Sequence, residues 1–328
     1  MIQVTLPDKP QKILGGRIMR AFAIEKYGGP EVLQEYDLPI PEVGDHDVLI
    51  EVENVGISPY DWHVRVGEQA GKIDYPIPLI LGWDVSGVVR KIGKNVTALK
   101  VGDPVIATQQ LDRNGGYAEY IAVDEQTVVK KPNSLSFEEG ATIPINAVTV
   151  YQALVKYGKM SKGDRVLIHG GAGGVGIVGI QLVKAKGAYV ATTASKRNHE
   201  FLKTLGADEV IDYRKIDFAG VISDYDIVLD TQGGDTLERS FDVLKEGGSL
   251  ISIRSRVDEE KAKKKNIEAY FHVMQLERDD LIEVVNLYGD GTIKAYFDTI
   301  FPLSEVRKAH ERSEEAHARG KIVLKIKE

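Results

Sequence analysis

The sequence predicts an α/β protein with two parts, a partly closed β-barrel and a doubly wound parallel sheet. Short apolar segments between Gly, Pro and Asp turns fill residues 19–135, a spacing typical of small barrels. From Ser136 onward the chain changes to alternating strands and helices, which is typical of a parallel sheet with helices on its faces. A glycine-rich turn at residues 170–176 joins one of these strands to the helix that follows it.

The glycine-rich turn has the pattern G-x-G-x-x-G at Gly171, Gly173 and Gly176. It follows an apolar run typical of a buried strand and precedes apolar residues at helical spacing. In such a turn one glycine makes the sharp bend, one lets backbone amides approach a pyrophosphate, and one allows the helix to pack closely on the sheet. The helix N-terminus adds unpaired N–H groups and the positive end of a dipole. The turn therefore predicts dinucleotide binding by Gly171, Gly173, Gly174, Val175 and Gly176.

The composition is that of an ordinary globular enzyme. The chain has 328 residues, of which 43% are hydrophobic and 28% charged, and it is long enough for two domains. Its net charge of -7 argues against a nucleic-acid or anionic-membrane surface. No segment has the pattern of a membrane span or a signal peptide, and we expect a cytoplasmic protein. The absence of cysteine excludes disulfides, thiolate catalysis and cysteine-ligated zinc.

The first part of the chain is predicted to consist of strands. Residues 1–18 are predicted to be an N-terminal extension, and the barrel is assigned to residues 19–135. Its predicted strands are short, apolar and bounded by turn residues: 19–24, 48–52, 82–89, 101–106 and 117–123.

The second part, residues 136–275, is predicted to be the doubly wound domain. Ser136 and Glu139 have the spacing of a capping box at a helix start. The predicted strands are 165–169, 189–193, 209–211, 226–229, 249–253 and 270–274, which match two halves of three strands each. The predicted helices are 174–186, 196–205 and 235–245, with Gly206 and Gly247 as stop signals for the last two. Residues 276–328 are expected to add a charged helix around 281–287, a helix start at 302–305, and a last strand that rejoins the barrel.

The order of these motifs resembles the medium-chain dehydrogenase/reductase superfamily, in its zinc-independent, quinone oxidoreductase-like branch. The resemblance runs from about residue 19 to the end of the chain. It rests on the glycine turn and on six further segments: Met19–Phe22, Tyr27–Pro30, Leu81–Gly87, Val101–Val105, Leu205–Tyr213 and Arg319–Leu324. The resemblance implies a GroES-like catalytic barrel, a Rossmann domain, an active site in the cleft between them, and a homodimer.

The resemblance also bears on metal binding. Zinc-dependent relatives bind the catalytic metal with a Cys and a His-Glu pair, and the matching positions here are Ser58, Trp83 and Asp84. The seven histidines show no ligand spacing, and His63 with Asp61 is interpreted as a pair of solvated helix polar groups. The sequence therefore predicts an enzyme that works without a metal.

The residues after the second strand of the doubly wound part favour NADPH as the cofactor. An NAD site places an acid about 20 residues after the glycine turn, but here no acid occurs until Glu200. Ser195, Lys196 and Arg197 instead offer a hydroxyl and two cations to a 2′-phosphate. The resemblance adds Tyr213 to this set. Alternatively, Ser195 caps the next helix and the two cations are solvated.

The resemblance places the segment from Ser58 to Trp62 in the substrate cleft. A helix start accounts for Ser58 as N-cap, Pro59 at the first helical position and Asp61 as the acid of a capping box. Tyr60 is the candidate catalytic residue, because a hydroxyl there can hydrogen-bond a substrate carbonyl; plain packing is the alternative. Ser58, Trp62 and Trp83 are the candidate pocket residues, and an Asn in many relatives stands where this chain has Ser58.

Further candidates come from the nicotinamide side of the resemblance. Asn146 and Thr149 lie on a helix that approaches the nicotinamide, and Ser252, Ile253, Phe271 and Val273 lie at strand ends, where doubly wound sheets bind ligands. The basic run from Lys261 to Lys265 is interpreted as a solvated loop.

Together these features predict an NADPH-dependent oxidoreductase that transfers hydride to a quinone or to the β-carbon of an α,β-unsaturated carbonyl compound. The cofactor carries the chemistry, and the protein positions the reactants and polarises the carbonyl. Two alternatives stay open. An enoyl-thioester reductase of the same fold would need a basic entrance, for which Arg254 and Arg256 are the candidates. A non-catalytic NADPH-binding or sensor protein is the other.

Overall fold

The computed structural model describes residues 17–327. Residues 1–16 of the predicted extension lie outside this range. Ile18 already belongs to the first strand, where it pairs with Pro39, so this strand begins one residue earlier than predicted. None of the helices in the described range has the length and apolarity needed to cross a membrane.

The N-terminal part consists of strands and one helix. In chain order its elements are β1 (Ile18–Ile24), β2 (Gln34–Pro39), β3 (Asp47–Ile57), α1 (Pro59–Arg65), β4 (Leu79–Ile80), β5 (Asp84–Ile92), β6 (Pro104–Thr108), β7 (Tyr120–Asp124) and β8 (Val128–Lys130). β3 is central and pairs antiparallel with both β5 and β7. β6 joins β5 to β8, and β1 forms a second sheet with β2 and β4. The two sheets share one apolar core, which gives the partly open barrel that the sequence predicts.

The second part is a six-stranded parallel sheet with helices on both faces. Its elements are α2 (Phe137–Gly140), α3 (Pro144–Tyr151), β9 (Arg165–His169), α4 (Gly174–Ala185), β10 (Tyr189–Thr193), α5 (His199–Thr204), β11 (Glu209–Ile211), β12 (Tyr225–Asp230), α6 (Gly234–Ser240), β13 (Leu244–Ser252), α7 (Glu259–Lys264) and β14 (Glu268–Phe271). The strand order is β11-β10-β9-β12-β13-β14. All six strands are parallel, but successive strands are added on one side of β9 up to β11 and on its other side from β12 onward. Ligands bind beside the carboxyl ends of the strands at such a switch point, here between β9 and β12.

The last segment returns to the barrel. Its elements are α8 (Arg278–Gly289), β15 (Phe297–Pro302), α9 (Val306–Glu314) and β16 (Lys321–Lys325). β16 pairs antiparallel with β3, with Ile322 opposite Ile57, as the sequence predicted for the last strand. Just before β16, Gly320 forms an isolated parallel bridge with Gly173 of the glycine turn. The C-terminal strand therefore contacts both parts of the molecule.

Buried aliphatic side chains hold the parallel sheet between its helices. α3, α4 and α8 cover one face through residues such as Val148, Ile180 and Leu281. α6 and α7 cover the other face through Leu237 and Ala262. Complete burial of a Val, Leu or Ile side chain contributes about 1.5–3 kcal/mol relative to exposure, so these faces keep α3 and α4 firmly on the sheet.

Most predicted elements are confirmed. In the first part the short strands β2, β4 and β8 were not predicted, and in the second part several bounds were wrong. The predicted helix 235–245 ends at Ser240, because β13 begins at Leu244. Gly247 does not stop this helix; it lies inside β13 with φ +76°, a conformation that favours glycine, beside an irregularity in the pairing with β12. The last strand of the sheet runs from Glu268 to Phe271 rather than over 270–274. The basic run is not a loop, because residues up to Lys264 belong to α7.

Candidate cofactor and active site

The glycine turn lies between β9 and α4. The Gly171 N–H donates to the Thr193 carbonyl at 3.0 Å, which ties the turn to β10. Gly173 has extended backbone angles and is the N-cap of α4, which begins at Gly174. The first N–H groups of α4 therefore lie at the carboxyl end of the parallel strands, as a pyrophosphate site requires.

Close contacts explain why three positions of the turn are glycine. A Cβ on Gly176 would lie 2.4 Å from the Gly170 carbonyl oxygen, a backbone atom that cannot move aside easily. A Cβ on Gly171 would lie 2.2 Å from Thr192 Oγ1, and one on Gly174 would lie 2.3 Å from Asn146 Nδ2. At Gly173 the nearest atom would be 3.5 Å away, which is ordinary contact. The turn is therefore tightly packed at Gly171, Gly174 and Gly176 but has room at Gly173, while Val175 is partly buried.

The second strand of the parallel sheet, β10, leads to the candidate 2′-phosphate residues. Ser195 is buried and is the N-cap of a short helix over residues 196–198. Lys196 and Arg197 are exposed, and Arg197 Nη2 donates to the His317 carbonyl at 3.3 Å. Tyr213, after β11, is 55% exposed. Ser195 makes no cap hydrogen bond with its side chain, although it holds the N-cap position, and its hydroxyl accepts from Asn198 Nδ2 at 3.5 Å.

Arg319 joins this group although it was not among the predicted site residues. Its Nε and Nη2 donate to Asn198 Oδ1 at 3.2 and 3.0 Å, and its guanidinium lies 4.8 Å from the centre of the Phe201 ring. The two bonded residues are 121 positions apart. The local signal was the segment Arg319–Leu324, which carries part of the family resemblance but does not by itself show that Arg319 reaches Asn198.

The candidates at the ends of β13 and β14 have different surroundings. Ser252 is fully buried, and its hydroxyl donates to Asp230 Oδ2 at 2.7 Å. Asp230 also accepts from the Gly233 N–H at 3.0 Å, so these polar groups stabilise the loop after β12. Ile253 is partly buried, whereas Phe271 and Val273 are 41% and 56% exposed. The apolar side chains are thus available to a ligand, while the Ser252 hydroxyl is already engaged.

α3 carries Asn146 and Thr149 on one side, three residues apart. Both are buried, and Asn146 packs against Gly174 of the glycine turn. The N-terminus of α3 is held by Asp84 of the barrel, whose carboxylate oxygens accept from the Ile145 N–H at 3.2 and 3.1 Å. An acid at a helix N-terminus is favourable, and here it links the barrel to the helix beside the turn.

Tyr60 contacts two other aromatic residues of the barrel. Its hydroxyl lies 3.1 Å from the hydroxyl of Tyr75, and its ring packs edge-on against Trp83 with centroids 5.5 Å apart. Trp83 and Tyr75 are buried, whereas Tyr60 is partly exposed. Burial raises the pKa of both tyrosines, so their hydroxyls stay protonated at neutral pH. Tyr75 was not predicted, because nothing in its local sequence marks it.

Trp62 and the polar residues of α1 differ from expectation. Trp62 stacks on His63 with ring centres 3.6 Å apart, and two residues from Tyr60 it lies on another face of the helix. His63 and Asp61 are buried rather than solvated, at 8% and 1% exposure. The predicted acid of the helix cap is present, since Asp61 Oδ2 accepts from the Ser58 N–H at 2.5 Å.

The burial of Asp61 predicts a pH-dependent stability. Burial raises the pKa of Asp61 from 3.8 to about 7, against the Ser58 hydrogen bond and the attraction of Lys321. Because the pKa of Asp61 is raised in the folded state, the protonated carboxyl makes its full contribution to stability below about pH 4. This contribution is lost as the pH rises through about 7. Asp61→Asn keeps an oxygen for Ser58 but cannot ionise. We expect thermal unfolding to show that the melting temperature of the variant, relative to that of the unsubstituted protein, rises from about pH 4 to about pH 8. A difference in melting temperature that stays constant over this range would contradict the prediction.

The positions that match the metal ligands of zinc-dependent relatives are otherwise engaged. Ser58 is at the N-cap position of α1 and its backbone N–H donates to Asp61, Trp83 Nε1 donates to the Arg113 carbonyl at 3.3 Å, and Asp84 forms a buried ion pair with Lys321. Within residues 17–327 no group of three or more His, Asp or Glu side chains is arranged to hold a metal ion.

Comparison with known families agrees with this architecture. Residues 44–133 match the alcohol dehydrogenase GroES-like domain. Residues 205–324 match the family described as zinc-binding dehydrogenase.

Relatives of known name match almost the whole chain. The human quinone oxidoreductase is 32% identical, with 94% of this chain and 98% of the relative covered. The chloroplastic NADPH-dependent alkenal/one oxidoreductase of Arabidopsis thaliana is 34% identical, with 93% of this chain and 79% of the relative covered. The solved quinone oxidoreductase of Coxiella burnetii superposes with a TM-score of 0.89 at 38% identity, over 95% of this chain and 100% of that one. The chain therefore belongs to the medium-chain dehydrogenase/reductase superfamily, in its quinone oxidoreductase-like branch.

Proposed function

We propose that this protein is an NADPH-dependent oxidoreductase that transfers hydride to a quinone or to the β-carbon of an α,β-unsaturated carbonyl compound. The observation that carries the proposal is the series of contacts from the glycine turn to the barrel aromatics. Asn146 packs on Gly174, its neighbour Ile145 is bound by Asp84, and Asp84 adjoins Trp83, which contacts Tyr60. A cofactor on the turn would thus extend toward Tyr60, which is partly exposed and bonded to the buried Tyr75. The names of the human and Arabidopsis relatives support the same substrates.

The chain's own residues supply binding and carbonyl polarisation. The glycines at 171, 174 and 176 let the turn pack closely against its neighbours at the start of α4, as a pyrophosphate-binding turn requires, which supports a nicotinamide dinucleotide as the cofactor. When bound, the cofactor supplies the hydride. Tyr60 donates a hydrogen bond to the substrate carbonyl, and Tyr75 donates to Tyr60 in turn, so that negative charge developing on the carbonyl oxygen is stabilised. The final proton can come from water.

Selection of NADPH over NADH rests on the basic group after β10. Ser195 offers a hydroxyl, and Lys196, Arg197 and Arg319 bring three cations to one end of the site. A 2′-phosphate needs such donors, whereas the acid that would bind a free ribose hydroxyl is missing until Glu200. Metal-free catalysis is supported by Asp84, because Lys321 and the Ile145 N–H already neutralise and bind its oxygens.

Assembly and location stay predictions. The homodimer follows from the resemblance alone, and size-exclusion chromatography with light scattering tests it. The cytoplasmic location follows from the composition, whereas some relatives are named as chloroplastic or mitochondrial.

The test of the proposed function is NADPH oxidation at about 340 nm against quinones, a 2-alkenal, an enone and crotonyl-CoA, with NADH in parallel. Turnover of a quinone or enone with NADPH preferred is expected. Preference for the thioester would favour an enoyl-thioester reductase, for which Arg254 and Arg256 are exposed near the end of β13. Tight NADPH binding without turnover would favour the sensor function.

Removal of the tyrosine hydroxyl tests the proposed carbonyl contact. We expect Tyr60→Phe to lower kcat/KM for an enone about tenfold, because one hydrogen bond to the transition state is lost. Tyr75→Phe is expected to act in the same direction but less, since its hydroxyl reaches the substrate through Tyr60. The affinity for NADPH, measured by fluorescence titration, should not change.

Tyr189→Phe is the matched control. It also removes a bonded hydroxyl, the one that donates to Glu209 at 3.1 Å, but from the opposite end of the parallel strands. Unaltered kcat/KM in Tyr60→Phe, or an equal loss in Tyr189→Phe, would leave Tyr60 with a packing role only.

A further inference from the structure

Asp84 and Lys321 form a completely buried ion pair between the barrel and the C-terminal strand. Lys321 Nζ lies 2.5 Å from Asp84 Oδ2, and the two residues are 0% and 3% exposed. They are 237 positions apart in the chain. Gly56 leaves room for the lysine, because a Cβ there would lie 2.9 Å from Lys321 Cε and 2.1 Å from the Ala141 carbonyl oxygen. The side chain of Lys321 thus lies against Gly56, in space that a larger residue there would fill.

Desolvation makes such a pair an expensive way to stabilise a protein. Burying two charges costs several kcal/mol per ion, and well-packed apolar replacements are often as stable. Stability alone therefore does not explain the pair. Its position in the fold suggests what else it does.

Two routes run from this ion pair to the glycine turn. On one side Lys321 follows Gly320, which forms a bridge with Gly173 and donates its N–H to the Ala172 carbonyl at 3.1 Å. On the other side Asp84 binds the Ile145 N–H at the start of α3, and the next residue, Asn146, packs on Gly174. Gly320 on one route and Asn146 on the other therefore contact the turn at two adjacent residues, Gly173 and Gly174.

We propose that the Asp84–Lys321 ion pair is a positioning element that sets the glycine turn against the barrel and thereby the affinity for the nicotinamide cofactor. The pair is not in contact with the reacting atoms in this scheme; it acts through Gly320 and through α3. The inference rests on the proposed function for the identity of the cofactor. The proposal adds Asp84 and Lys321 as residues that govern cofactor binding from outside the glycine turn.

The test compares Lys321→Met with Lys327→Met. Lys327 lies two residues beyond β16 and is also paired, with Glu53 at 2.7 Å and Glu51 at 3.0 Å, but these partners lie in the middle of β3 in the barrel. We expect Lys321→Met to weaken NADPH binding about tenfold or more in a fluorescence titration, since small displacements of positioning groups have effects of this size. It should also speed amide hydrogen exchange in peptides covering residues 170–176 of the cofactor-free protein. Lys327→Met should change neither.

A double variant keeps the test valid if the lone buried Asp84 prevents folding. Asp84→Asn with Lys321→Met removes both charges of the pair, so its melting temperature is expected to approach that of the unsubstituted protein. Its NADPH binding should stay weak and its exchange at 170–176 fast. Wild-type affinity and exchange in the double variant would overturn the positioning role. Failure of the unsubstituted protein to bind NADPH would overturn the proposed function instead, and the exchange comparison, made without cofactor, would still decide the role of the pair.

Discussion

Replacing Gly176 with alanine is expected to remove NADPH binding, with a loss of affinity of about 100-fold or more. The new Cβ would lie 2.4 Å from the Gly170 carbonyl oxygen and 2.5 Å from Gly171 Cα. Both are backbone atoms of the turn itself, so relief of the clash must move the turn away from α4. Because the first N–H groups of α4 form the proposed pyrophosphate site, this displacement acts directly on binding. A fluorescence titration with NADPH measures the affinity, and thermal unfolding measures the accompanying loss of stability.

Gly173→Ala is the matched control in the same turn. Gly173 has φ -77°, which alanine adopts freely, and its Cβ would come no nearer than 3.5 Å to the Gly170 carbonyl oxygen. We expect this variant to keep the melting temperature of the unsubstituted protein. Any loss of NADPH affinity would then come from the new Cβ, which narrows the space in front of the turn, and not from displacement of the turn. If Gly176→Ala bound NADPH as tightly as the unsubstituted protein, the turn would not be the cofactor site.

Replacing Ser195 with aspartate is expected to reverse the cofactor preference. A 2′-phosphate beside a carboxylate loses a hydrogen bond and gains repulsion, a difference of about 3 kcal/mol or about 100-fold in affinity. A ribose 2′-hydroxyl, in contrast, binds well to an acid at this place in the fold. Aspartate is also a good N-cap, so the short helix that begins after Ser195 should be retained. The ratio of kcat/KM for NADPH to that for NADH measures the change.

Lys203→Ala provides the control for a general effect of charge. Lys203 is exposed and pairs with Glu200 at 3.1 Å, further along the chain than the basic group. We expect it to leave the cofactor ratio unchanged. Equal use of NADH by the unsubstituted protein, or an unaltered ratio in Ser195→Asp, would show that the basic group does not bind a 2′-phosphate.

The sequence was most informative where the structure depends on local patterns. The glycine turn, the capping box of Ser136 and Glu139, and the alternation of apolar strands with helices are set by residues close in the chain. The hydrogen bonds of that capping box are present at 2.8 and 3.1 Å. Prediction failed where strand pairing outweighed the local preference of the residues. In β13, Gly247 was interpreted as a helix stop signal, but it lies inside the strand.

The candidate site was predictable only in part, for the same reason. Residues of the turn and of the segment after β10 follow from motifs of neighbouring residues. Tyr75, Arg319 and Lys321 do not, because their partners are 15, 121 and 237 positions away. The burial of Asp61 and His63 was also missed, since a polar residue on a short helix is usually solvated.

By itself, then, the sequence determined the family, the doubly wound sheet, the place of the glycine turn and the basic character of the segment after β10. Each depends on spacing along the chain, which the sequence displays directly. Only the tertiary structure decided that Tyr60 meets Tyr75, that Arg319 joins the basic group, and that Asp84 and Lys321 share a buried site next to the turn. Those contacts depend on which distant segments the two cores bring together. Burial then decides whether a charge is solvated or must find a partner.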